Sequence, residues 1–131
     1  MTCFWRGVIH SLNKEDQNLL NFNSNHRDLK GFIRRLKELS RDAKFEIKWQ
    51  NQELTESEIN DLKTYIKEYD INLIHQGHWT SSCDPFLCLI TDLLKCRIEF
   101  NYRNHHILFE SKNEIRKTLK FRGSQSHFQK N

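Results

Sequence analysis

The sequence has little from which to build linkers. Its 131 residues include one proline and four glycines, and the flexible or stiff tethers that join domains draw on those residue types. No repeat period is visible. The chain therefore reads as a single domain over residues 1–131. It also lacks a long apolar run: nothing approaches the roughly 20 consecutive apolar residues that cross a bilayer, so no membrane partner is expected. Charged Arg6 follows too soon for a secretory apolar stretch, which points to a reducing compartment, cytoplasmic or nuclear. There the four cysteines Cys3, Cys83, Cys88 and Cys96 are expected as thiols.

A mean hydropathy of -0.79 with 29% charged residues would on its own admit disorder. Nine Phe, three Trp and three Tyr argue for a folded core. A chain of this length buries roughly two-thirds of its surface on folding. The net charge is +4, unevenly placed: residues 112–131 hold six basic residues and one acid, leaving +5 there and -1 elsewhere. A basic C-terminal region admits nucleic acid as a partner, or a solvated edge.

The periodicity predicts helices first and strands after them. Trp5 to Leu12 reads as a short apolar helix following Cys3, and Asn25 to about Arg41 as a longer one, with Asn25 and Asp28 as capping candidates. Phe45, Ile47 and Trp49 alternate as a brief strand. Thr55-Glu56-Ser57-Glu58 is a capping box for a helix to about Tyr69, with Ile59, Leu62, Tyr65 and Ile66 inward. Asp84-Pro85 opens a helix over 86–95, apolar almost all round and so buried. Arg97–Tyr102, His106–Phe109, Thr118–Phe121 and His127–Gln129 read as strands, with Arg103-Asn104 turning between the first two. The class is α+β, helices packed around a small C-terminal, mostly antiparallel sheet.

One thiol and one histidine carry the chemistry. A thiolate needs local positive potential, which a helix N-terminus supplies, and Cys3 stands before a helical stretch. A nucleophilic cysteine also needs a histidine to move its proton and a third group to orient that histidine. His127 begins an alternating segment in which Gln129 shares its face. Taken singly, Cys3 reads as a small buried hydrophobe and His127 as a surface residue. His75 and His78 with Cys83, Cys88 and Cys96 fit no strong zinc spacing.

The segment Thr2-Cys3-Phe4-Trp5-Arg6-Gly7 resembles the nucleophile motif of the ovarian-tumour (OTU) cysteine proteases. Gly77-His78-Trp79-Thr80, followed by Asp84-Pro85 and an apolar helix, is similar to that family's Gly-x-Trp-Gly segment. Ser126-His127-Phe128 is similar to its terminal His-aromatic pair. The marks occur in the family's order and span nearly the whole chain. The resemblance implies a papain-like fold without a cofactor or metal, hydrolysing isopeptide or peptide bonds at the C-terminus of ubiquitin or a ubiquitin-like protein, and an origin in a large DNA virus. It implies Cys3 as nucleophile, His127 as general base and Gln129 as orienting residue, with Thr2, Arg6 and Trp79 as motif neighbours. The chain departs from the family pattern in lacking Asp-Gly ahead of the motif, in Thr80 for Gly, and in Gln129 where Asp or Asn is usual. A non-catalytic OTU-like interaction module and a nucleic-acid binder using the basic C-terminal region are the alternative expectations.

Overall fold

Short-range rules set most of the element ends. In the computed structural model, which describes residues 3–22, 28–76, 78, 80–124 and 127–131, the first helix, α1, covers Cys3–Ser11. A reciprocal capping box between Asn13 and Asp16 opens α2 (Lys14–Leu19). Asp28, one of the two capping candidates, accepts from the Gly31 N–H at 2.9 Å and opens α3 (Leu29–Ser40), which begins at the first residue of the apolar period; Asn25 lies outside the described residues. The Thr55–Glu58 box opens α4 (Glu56–Glu68) as expected. A 3-10 turn follows over Ile71–Gln76. Asp84 accepts from the Phe86 and Leu87 N–H groups, with Pro85 as the first residue of α5 (Pro85–Leu94). Lys95, left-handed at φ 48°, ends it.

Among the described residues, six strands form one sheet: β1 (Ile47–Trp49), β2 (Gln52–Glu53), β3 (Arg97–Tyr102), β4 (His105–Ser111), β5 (Thr118–Gly123) and β6 (Phe128–Lys130). Their order is β2-β1-β4-β3-β5-β6. Every neighbouring pair is antiparallel except β3–β5, which is parallel. The sheet is thus mostly antiparallel, as expected, but it is not confined to the C-terminal part, since β1 and β2 extend it beyond β4. Arg103 (φ 50°) and Asn104 (φ 68°) turn β3 into β4, and Gln50 (φ 50°) and Asn51 (φ 66°) turn β1 into β2. Both are two-residue loops whose positive φ values suit the twist of a tight hairpin.

The strands alternate. Ile98 and Phe100, Ile107 and Phe109, and Leu119 and Phe121 point to the buried face, while Glu99, Asn101, Lys120 and Arg122 face the other way. The helices sit on the buried face rather than around the sheet. Helix α5 is buried along its whole run from Phe86 to Thr91, which its all-round apolar sequence demanded. Phe45 does not continue β1; it is left-handed at φ 52°, and the Asp92 carboxylate accepts from its N–H at 3.2 Å and from the Glu46 N–H at 3.0 Å.

Helix α2 has no apolar period and was not expected. A charge cluster holds it. Asp16, fully buried, accepts from Arg116 at 2.9 Å and Lys117 at 2.7 Å, two residues on the chain leading into β5. Burial pulls the Asp16 carboxyl up, but the hydrogen bonds from Lys117, the Asn13 backbone and Arg116 outweigh it and hold the pKa below the ordinary carboxylate value. A depressed folded pKa contributes stability above the unfolded pKa, and that contribution is lost as pH falls through the folded pKa. Asp16→Ala should cost about 1.5–3 kcal/mol at neutral pH. In urea melts the difference from wild type should shrink toward zero in strong acid; a cost that stays constant on acidification would contradict the role given to Asp16.

Candidate functional site between α1 and β6

The apolar residues Phe4, Trp5, Val8 and Ile9 are spaced to bury one side of α1. On the adjacent stripe stand Cys3, Arg6, Gly7 and His10, related by three- and four-residue steps. That stripe faces β6 and lines a groove of about 570 Å³ with Phe128 and Gln129. Cys3 is the first helical residue, half-buried, so its thiol lies at the positive end of the helix dipole. Arg6, His10 and Lys130 add basic groups, and no acidic side chain lines the groove among the described residues.

Two close approaches, at Gly7 and at Gly123, fix where the C-terminal strand lies. A side chain at Gly7 would place its Cβ 2.8 Å from the Phe128 ring, so glycine lets β6 lie directly against the helix. The Phe128 ring is in turn fixed, its centroid 4.7 Å from Phe4, 4.7 Å from Phe121 and 5.4 Å from Phe100. A Cβ at Gly123 would collide with the His127 carbonyl, and the Ser124 N–H donates to that carbonyl oxygen at 2.7 Å. Gly7→Val should destabilise the fold by about 1–3 kcal/mol through overpacking and should reduce any activity that depends on the α1–β6 spacing. Unchanged thermal stability would show that the ring yields.

Because Phe128 points into the core, His127 and Gln129 point to the opposite face of β6. His127 is exposed and lines a neighbouring cleft of about 310 Å³ with Asn101, Arg103 and Arg122; Phe128 and Gln129 form the wall common to both clefts. Gln129 pairs across the strands with Arg122. With its carbonyl oxygen turned that way, it accepts from Nε and a terminal nitrogen of the guanidinium. Of the residues singled out in sequence, Cys3, Arg6 and Gln129 thus share one groove, and His127 stands at the next. Thr2 and Trp79 lie outside the described residues. Thr80 is buried.

The four thiols differ. Cys88 and Cys96 are buried; burial pushes the Cys96 thiol up to about 12, which removes it as a nucleophile at neutral pH. Cys3 and Cys83 are half-buried. Among the described residues, no group of three or more His, Cys, Asp and Glu is arranged to hold a metal. His105 and His106 open β4 on the surface.

One polar arrangement was not foreseen. His78 is buried, and its Nε2 lies 2.6 Å from Asp84 Oδ2 and its Nδ1 3.3 Å from the Tyr65 hydroxyl. The Phe4 ring covers it, centroid to centroid 4.5 Å. Asp84 therefore caps α5 with one oxygen and holds His78 with the other, locking the start of α5 to the residue after Cys3. Tyr65 reaches this network from α4, its ring edge-on to the buried Phe86 at 6.2 Å although the residue is partly exposed. Burial, with the charge of Asp84 added, pushes its hydroxyl up to about 12. The Asp-Pro cap was visible in the sequence; its histidine partner carried no signal.

No family model matches the chain, and no curated protein or solved structure does. Among the described residues no helix is long and apolar enough to cross a membrane.

Proposed function

We propose that the chain is an OTU-like thiol hydrolase with a papain-type arrangement, acting on the C-terminal tail of ubiquitin or a ubiquitin-like protein. The observation that supports this best is the groove between α1 and β6. It joins a half-buried thiol at a helix N-terminus to Phe128, Gln129 and Lys130 of β6, the strand that His127 immediately precedes, two segments from opposite ends of the sequence. The motif order described above is the second support.

In this mechanism His127, which stands at the neighbouring cleft, must turn into the Cys3 groove on substrate binding; there it removes the Cys3 proton, and the sulfur attacks the scissile carbonyl. His127 then protonates the departing amine, leaving a thioester. Water attacks the thioester with His127 as base, releasing a carboxylate and restoring the thiol. Gln129 contributes orientation of the strand rather than charge, since its carbonyl oxygen turns to Arg122. The basic rim of Arg6, His10 and Lys130 suits a tail that becomes a carboxylate on cleavage.

The test is turnover of fluorogenic C-terminal amides of ubiquitin and of several ubiquitin-like proteins by the reduced protein. Release of fluorophore from at least one is expected; no release from any of them overturns the hydrolase. A second reading, an OTU-like interaction module without catalysis, draws on the placement of His127 in the cleft beside the Cys3 groove. It predicts binding of such a protein without turnover, unaffected by Cys3→Ala.

A further inference from the structure

Cys83 and Cys88 take no part in that chemistry, yet they are placed together with care. Cys83 immediately precedes the Asp84 cap of α5, and Cys88 lies four residues inside the cap. In helices with a hydrophobic staple the side chains at these two positions pack on each other. Here both are sulfur, with the Sγ atoms 3.9 Å apart. The backbone on either side is held. Asp84 accepts from the Phe86 and Leu87 N–H groups, and the Cys88 N–H donates to the Asp84 carbonyl at 2.9 Å. The Trp49 indole donates to the Ser82 carbonyl at 3.0 Å. A disulfide spans about 2.05 Å, so the two sulfurs must still approach each other to bond. Cys83 is half-buried while Cys88 is fully buried, so a small solute meets Cys83 first.

We propose that Cys83 and Cys88 form a peroxide-oxidisable dithiol that closes a disulfide across the first turn of α5. The Cys83 sulfur attacks a hydroperoxide oxygen, giving a sulfenic acid and one water or alcohol. The Cys88 sulfur attacks that sulfenic sulfur, forming the S–S bond and releasing water. The two thiols lose two electrons and two protons, and the peroxide takes them up. The hydrogen bond from Cys88 draws the Cys83 thiol below its usual pKa against the effects of burial, Glu58 and Asp84. The same bond, with burial, pushes Cys88 up. The order of attack follows: Cys83 first, Cys88 as the resolving thiol.

Trypsin tests this cleanly, because residues 68–95 form one tryptic peptide that contains both cysteines and neither Cys3 nor Cys96. Native protein is treated with hydrogen peroxide, alkylated and digested. The peptide should appear lighter by two hydrogens, resist alkylation, and regain two alkylation sites after reduction with dithiothreitol. Cys88→Ser should abolish the two-hydrogen loss and leave Cys83 reactive toward dimedone. Two alkylated thiols after a peroxide dose that fully oxidises glutathione would overturn the proposal. So would a Cys83 sulfur joined to Cys3, or dimedone labelling of Cys88 in preference to Cys83.

Discussion

Cys3→Ala is expected to abolish turnover of a ubiquitin C-terminal amide, by about 10⁴-fold or more, while the fold survives. Removing the nucleophile removes the covalent pathway, and what remains is binding and any backbone stabilisation of the carbonyl. His127→Ala should give a loss of similar size, and the double variant should lose little more, because residues that act as a unit are not additive. Stability should hardly change, since Cys3 is half-buried at the first position of α1 and alanine is the best helix former. Thermal unfolding and turnover measured on the same preparations separate the two effects. Turnover by Cys3→Ala equal to that of wild type would assign the activity elsewhere.

Trp5→Ala is expected to cost about 3–5 kcal/mol, a large part of the roughly 5–15 kcal/mol that holds a domain together. Trp5 is fully buried, its ring centroid 4.6 Å from Phe86, 4.9 Å from Phe4 and 5.7 Å from Tyr69. Its indole N–H donates to the Tyr69 hydroxyl at 3.0 Å. Truncation leaves a cavity between α1, α4 and α5 and an unpaired hydroxyl at its edge. The urea midpoint should fall steeply with little change in slope, and the turnover that depends on α1 should fall with it. Arg6→Ala, exposed on the same helix, is the control and should stay within about 0.5 kcal/mol. A Trp5→Ala midpoint close to that of wild type would mean that the core does not rest on this ring.

What the sequence disclosed and what it hid divide along the range of the interactions. The Thr55–Glu58 box, the Asp84-Pro85 cap and the Arg103-Asn104 turn were legible because each is a rule among neighbours. So was β3, since its alternation is local. Helix α2 was missed: its sequence Lys-Glu-Asp-Gln-Asn-Leu has no apolar stripe, and Asp16 is stabilised by Arg116 and Lys117 from the far end of the chain. Tyr65 sits on the predicted inward stripe of α4 and is only partly inward: its ring meets Phe86 and its hydroxyl reaches His78, while 42% of the residue stays exposed.

The candidate site shows the same division. Cys3 at the start of a helix could be read from the residues that follow it. That Gly7 admits the Phe128 ring depends on β6 lying at the sheet edge beside β5, a tertiary fact. The register that sets Gln129 opposite Arg122 is equally invisible in sequence, and it changes what Gln129 does. A residue expected to orient His127 spends its carbonyl oxygen on a guanidinium one strand away.

The most direct test of the hydrolase is covalent capture. The reduced protein is incubated with ubiquitin and ubiquitin-like proteins bearing a C-terminal electrophile, and the adduct is mapped by mass spectrometry. A single adduct on Cys3, absent from both Cys3→Ala and His127→Ala, is the predicted result. Native protein that leaves every probe unreacted, or that reacts at Cys83 instead, would contradict it.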